Sequence, residues 1–221
     1  MNVILLISVI FISLIAQLYI INIYNRYKKI KLKKDNTGFD TARLILDKYD
    51  LNNIYITEVK GTLTDHYFYS RKVIRLSKNI FHGKSIMSTA MAAFLSSHAL
   101  MDNEKHKLYS IRMKLEPIIN FITFVGIIFI FIGLFFSTKT VLTMGVIFEV
   151  LYLLFQIVFI KIEFEASKRA LDELLDLSLI GRKENDYVKS ALSALSFLNV
   201  GSIYRSVKEA FLALYYFGKS D

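Results

Sequence analysis

The chain has 221 residues, of which 54% are hydrophobic and 21% charged, a length that suits one membrane bundle with a small soluble subdomain and excludes several independent globular domains. It has no cysteine, which excludes disulfides, thiolate metal sites and cysteine nucleophiles, so any metal must rely on His, Asp or Glu. The net charge of +9 is read as the basic residues that orient membrane segments, and nucleic acid is not an expected partner.

Residues 3–24 are apolar and nearly uncharged over 22 positions, enough to cross a hydrocarbon core of about 30 Å at roughly 1.5 Å per residue. A cleaved signal peptide is the rival reading. The segment has no basic residues ahead of it, is long, and shows no small-x-small cleavage site before the charges, so it is expected to be retained. Asn25 to Lys34 follows, rich in Lys and Arg, and basic residues flanking a span are held on the cytoplasmic side. The N-terminus is therefore expected outside.

Residues 25–116 are the first predicted cytoplasmic segment. Thr41–Tyr49 reads as a short helix capped by Asp40, and Ile54–Val59 alternates like a strand. Gly61 should turn the chain, Tyr67–Leu76 reads as a second strand, and Ser85–Met101, rich in Ala, Met and Leu, as a helix. The order is helix, strand, strand, helix.

Two further spans are predicted within residues 117–162, from Pro117 to Phe136 and from Val141 to Ile162, joined by Ser137-Thr138-Lys139-Thr140 in a tight hairpin. Of the 28 Lys and Arg residues, 27 fall in residues 25–116 or 161–221, which places both segments in the cytoplasm and the hairpin tip outside. Within the C-terminal region, residues 163–221, Ala191–Val200 and Ser202–Phe217 are apolar but interrupted by charge, as in amphipathic interfacial or bundle-packing helices. The fold class is thus a mainly α membrane protein: three transmembrane helices, a small cytoplasmic α/β subdomain and C-terminal amphipathic helices. The bilayer is its first partner.

Glu149, Gln156 and Glu163 recur at intervals of seven in the third span and form a polar stripe on one helix face. Such a stripe should face the protein interior, and an ionisable group at that depth is a functional candidate. The plainer role for Glu149 is a protonated carboxyl bonded to a neighbouring helix.

A peptidase helix of the H-E-x-x-H type carries two zinc-binding His residues one turn apart and a Glu that acts as general base on the metal-bound water. No such motif occurs here, but residues 82–102 end in a helix bearing His98. The chain carries Gly61-Thr62-Leu63-Thr64-Asp65-His66-Tyr67, then Arg75-Leu76-Ser77, Gly83-Lys84-Ser85-Ile86 and, after the spans, Glu163-Phe164-Glu165-Ala166-Ser167-Lys168-Arg169-Ala170. In order and spacing over roughly residues 5–180, this resembles the YugP-like family of bacterial membrane proteins, neutral zinc metallopeptidases of the second such family.

The resemblance implies a zincin-like subdomain, a zinc ion and a bacterial cell-membrane location. It places the family's first His on Phe94, its catalytic Glu on Leu95, its second His on His98 and its third ligand on Glu163. The family's Asp-Pro after the Tyr is replaced by Phe68-Tyr69. Phe94 has no lone pair to give a metal, and Leu95 cannot accept a proton from water. Losing a general base alone costs about 10²- to 10⁴-fold. Two ligands make a poor zinc site unless another group joins, and Asp102, one turn beyond His98, or His66, His82 or His106 are the candidates. His66 could instead support the site from a strand. Taken by itself, His98 on an Ala-rich helix reads as a packing residue, and Glu163 could pair with Arg169.

The leading expectation is a family member without catalysis that binds a polypeptide client, or pairs with an active relative, by strand addition or through the polar stripe. The alternative is an active zinc metallopeptidase with non-standard ligands that cleaves membrane or membrane-proximal proteins. A structural membrane protein without a client is a third reading, for which no residue argues.

Overall fold

The structure, a computed structural model, describes residues 2–200, without the side chains of residues 2–6, 9 and 10. The apolar segment Ser202–Phe217 lies outside the described residues. In chain order the elements are α1 (Asn2–Tyr27), α2 (Gly38–Asp47), β1 (Tyr55–Val59), β2 (His66–Phe68), β3 (Val73–Ser77), α3 (Lys78–Phe81), α4 (Ile86–Asn103), α5 (Lys107–Phe135), α6 (Lys139–Asp176) and α7 (Arg182–Leu195).

They group into two compact units. Of the described residues, the first contains 2–19, 112–160 and 197–200. Its hairpin of α5 and α6 depends on close backbone approach at glycines. A Cβ on Gly145 would stand 2.7 Å from the carbonyl oxygen of Gly126 and 2.8 Å from the amide of Ile130. One on Gly133 would stand 2.5 Å from the amide of Leu142, so only glycine fits at either crossing. Ala16 of α1 and Ile119 of α5 pack on Tyr152 and Leu153 of α6.

α5 and α6 are each long and apolar enough to cross a membrane. Both run further than the apolar stretches alone. α5 begins at Lys107, ten residues before Pro117, which lies inside the helix and leaves one intrahelical hydrogen bond unmade. α6 continues past Ile162 to Asp176, because no Pro or Gly interrupts a run of good helix formers after Gly145.

The second unit, residues 20–111 and 161–196, is built around α4. From Ile86 to Met101 every residue of α4 except His98 is buried, as expected of a helix that is apolar on all sides. Its Ala90, Ala92, Ala93 and Ala99 are fully covered and let α2 and α7 pack close. Ser85 caps its N-terminus by accepting the amide of Ser88 at 3.1 Å.

The sheet has the order β1-β3-β2, with β1 parallel and β2 antiparallel to β3. The predicted single strand Tyr67–Leu76 is therefore two strands. A 3-10 turn over Tyr69–Arg71 and Lys72 at φ 52° fold it back on itself. Gly61 does turn the chain: its φ is +111°, and a Cβ there would meet Thr64 Cγ2 at 2.6 Å.

Asp65, which follows that turn, is buried and accepts hydrogen bonds from the Ser77 amide at 2.6 Å and the Ser77 hydroxyl at 3.1 Å. It pins the loop to the end of β3. At α2, the cap is Thr37 rather than Asp40. The Thr37 hydroxyl accepts the Asp40 amide at 3.1 Å, and the Asp40 carboxylate accepts the Thr37 amide at 2.9 Å, a reciprocal capping box.

Thr37→Ala should lower the unfolding free energy by about 1 kcal/mol in chemical denaturation of the full chain, whereas Thr37→Ser should leave it nearly unchanged. A second expectation concerns pH. Burial holds the Asp65 carboxyl above its ordinary value of 3.8, outweighing the Ser77 hydrogen bonds that favour the anion. The folded chain then keeps this proton to higher pH than the unfolded chain. Its contribution to stability is full below pH 3.8 and is lost as pH rises through the raised value. The stability of the wild type relative to Asp65→Asn should therefore decline as pH is raised from acid to neutral; a constant difference would contradict this burial effect.

Candidate functional site

His98 projects from α4 and Glu163 from α6, 65 residues apart in sequence, and their side chains meet. Nε2 of His98 stands 3.2 Å from Oε2 of Glu163, with side-chain exposures of 12% and 3%. The approach is close, but His98 Nε2 makes no hydrogen bond of good geometry among the described residues. An aromatic wall lines the imidazole. The Phe94 ring, one turn earlier on α4, lies with its centroid 4.7 Å away at 55°, and the Tyr109 ring 5.7 Å away at 38°. Leu95 beside them is buried.

This arrangement can be tested against a zinc ion. A catalytic zinc takes three protein ligands and keeps one position for water. Here an imidazole nitrogen and a carboxylate converge, as two such ligands should, and the nitrogen is buried without a hydrogen bond. The third donor is missing: Phe94 offers a hydrocarbon ring, and no group of three His, Asp or Glu residues that could hold a metal occurs among the described residues. Each candidate for that role is engaged elsewhere. Asp102 accepts from the Tyr67 hydroxyl at 2.6 Å and pairs with Lys72. His66 is turned to the carbonyl of Thr64 at 2.8 Å, and His82 to the carboxylate of Glu58 at 2.7 Å. His106 accepts the amide of Tyr109 through Nδ1 at 3.4 Å, with Nε2 3.6 Å from Glu165. The residues present do not fit a resident zinc ion, and Leu95 supplies no proton acceptor.

The surroundings of the pair are ordered by polar contacts. Ser196 donates to the backbone carbonyl of Glu163 at 3.3 Å, and Ser167 donates to the carbonyl of Leu192 at 2.9 Å while lying 2.7 Å from the Ser196 hydroxyl. These bonds tie α6 to the end of α7. Arg169 turns away from Glu163 and makes a two-pronged pair with Glu104, both contacts 2.6 Å, beneath which the Tyr49 ring lies 5.6 Å from the guanidinium. That pair holds the Glu104 carboxyl below its ordinary range. Further along α6, Glu173 accepts from Lys48 at 2.7 Å and from the Tyr49 hydroxyl, and this carboxylate raises the Lys48 ammonium.

Sequence reasoning missed Tyr109, Asp65 and Tyr67 as contributors. Tyr109 sits in a polar stretch before the apolar part of α5, where nothing in the spacing marks a ring that will face His98. Burial, with Asp102 beside it, pushes the Tyr67 hydroxyl up, so it remains a donor to that carboxylate.

Glu149 and Gln156 belong to the other unit and are buried, with Glu149 only 1% exposed. Neither carboxyl oxygen of Glu149 has a hydrogen-bond partner among the described residues. A Cβ on Gly126 would stand 3.1 Å from Glu149 Oε1, so the glycine leaves the space this carboxyl occupies.

Comparison with known proteins agrees with the motifs. Residues 2–217 match the model of the family described as "Putative neutral zinc metallopeptidase". The chain is 31% identical over 194 residues to the "Putative membrane protease YugP" of Bacillus subtilis (strain 168), covering 88% of this chain and 86% of that protein. No solved structure matches the chain. By the extent of both matches, this chain belongs to the neutral zinc metallopeptidase family typified by that description.

Proposed function

We propose that this chain is a membrane-embedded member of its family that has lost peptide-bond hydrolysis and acts by binding a polypeptide. The observation that carries the reading is the Phe94 ring packed at 4.7 Å on His98, where the family motif has its first metal ligand, with Leu95 at the position of the general base. Water in such a site is neither polarised by a three-ligand ion nor relieved of a proton, which removes both halves of the hydrolytic step. What persists is the scaffold: α4 and α6 still bring His98 and Glu163 together.

Two helices long and apolar enough to cross a membrane, α5 and α6, support the membrane reading; in it the apolar part of α1 is a third span, with the N-terminus outside and the basic segments in the cytoplasm of a bacterial cell. The edge strand β1, which exposes Tyr55, Thr57 and Glu58, is where a client segment would add by main-chain pairing. The client is a polypeptide or an active relative of the same family. An active enzyme with non-standard ligands would need Asp102 to give up its bonds to Tyr67 and Lys72, or one of the other histidines to leave its present partner.

Zinc analysis of the purified full chain tests the proposal. Substoichiometric zinc is expected, with unfolding unchanged by a chelator. Stoichiometric zinc that disappears in His98→Ala would contradict it. The double variant Phe94→His with Leu95→Glu should bind about one zinc per chain, because two ligands already converge; failure of a folded double variant to take up zinc would mean that the inherited geometry is no longer that of a metal site.

A further inference from the structure

The last turn of α1 and the segment that links it to α2 carry six basic residues in nine positions: Arg26, Lys28, Lys29, Lys31, Lys33 and Lys34. All six are exposed. None pairs with an acidic side chain among the described residues; the neighbouring Asp35 is taken by Lys84. Unpaired like charges crowded together repel one another, so an arrangement that holds them in place needs an explanation.

The backbone does hold them. Ile30 accepts the amide of Ile86 at 2.9 Å, Leu32 donates to the carbonyl of Lys84 at 3.0 Å, and Lys31 bridges to Ser85. The Lys33 amide donates to the Glu184 carboxylate at 2.8 Å. Through these turns and bends Leu32 is buried and Ile30 half-buried, while Lys28, Lys29, Lys31, Lys33 and Lys34 are exposed. The cations of this row in the sequence are therefore displayed from a pinned backbone.

The row begins where the apolar helix ends. Leu18 and Ile21 of α1 are exposed hydrophobics at 56% and 36%. Beyond them, Lys28 lies over the Tyr24 ring and Arg26 over the Tyr27 ring, both 5.6 Å from the centroid. Both rings are buried, so they anchor these cations at the helix end, and exposed apolar side chains followed along the chain by exposed cations is the order in which a bilayer presents acyl chain and headgroup.

We infer that the fixed row Arg26 to Lys34 is a binding surface for anionic phospholipid headgroups, docked on the first turn of the helix that carries His98. The inference rests on α1 being membrane-inserted but not on the loss of catalysis. Because the row is hydrogen-bonded to residues 84–86 at the start of α4, headgroup binding also steadies that helix.

The full chain in detergent micelles is titrated with short-chain phosphatidylglycerol, phosphatidylcholine and glycerol phosphate by calorimetry. Phosphatidylglycerol should bind, with affinity falling steeply as salt is raised, and phosphatidylcholine should not. The variant K28Q/K29Q/K31Q/K33Q should lose at least about tenfold in affinity, while the charge-matched K60Q/K78Q/K183Q/K189Q should not change. Equal binding by the first variant, salt-independent binding by the wild type, or glycerol phosphate matching phosphatidylglycerol would each overturn the inference. Should the first variant not fold, the wild-type salt dependence and the lipid comparison decide alone. Carbonate-resistant insertion into phosphatidylcholine vesicles separates the two failures: no insertion sinks the membrane reading, and insertion without a phosphatidylglycerol preference sinks this inference alone.

Discussion

The approach of His98 to Glu163 is the constraint on which the second unit is organised. The two side chains stand 3.2 Å apart, both largely removed from water, and they meet only where α4 and α6 are held together, since burying polar groups is costly and the rest of the fold must offset it. The fold accordingly fixes α4 and α6 through independent contacts. α4 is enclosed on nearly all sides, with its alanines at the contacts. α6 is anchored by Ser167 and Ser196 on one side and by Arg169, Glu173 and their partners on another. The paired carboxylates and hydroxyls of the family motif after the spans are thus mainly structural: of Glu163, Ser167 and Arg169, only the first faces the imidazole.

On the proposed reading, that arrangement lets a site lose its chemistry and keep its shape. With Phe94 at the position of a ligand in that reading, an aromatic ring packs at a tilt on His98 within a buried helix. Leu95 likewise buries a hydrocarbon side chain where a carboxyl would have to be desolvated. In the proposed reading both residues favour the folded scaffold in place of a metal donor and a base. A wholesale collapse of the region is not required, and the loop tied by Asp65 to Ser77 remains in place.

Much of this was legible in the sequence, for reasons that differ by element. The α5–α6 hairpin follows from two long apolar runs, and the Gly61 turn from a residue free to take positive φ. The split of one predicted strand into β2 and β3 was not legible, because it depends on Lys72 in the left-handed region, a conformation its side chain does not advertise. Capping was misplaced by three residues, since Thr37 and Asp40 satisfy each other and either alone resembles a cap. The meeting of His98 and Glu163 came from resemblance rather than from periodicity: all of α5 and the apolar part of α6 lie between them in the chain, and no local pattern relates them. Tyr109 carried no signal, as its role arises only when α5 starts ten residues before Pro117.

The proposed reading turns on whether His98 and Glu163, 3.2 Å apart, can hold a metal ion. The ¹⁵N shift of the His98 imidazole, recorded on the full chain with and without excess zinc, addresses it most directly. The account predicts no change at Nε2 on adding zinc. A shift to the metal-bound range at one equivalent, abolished in Glu163→Gln, would contradict it and return this chain to the metallopeptidases in the full sense.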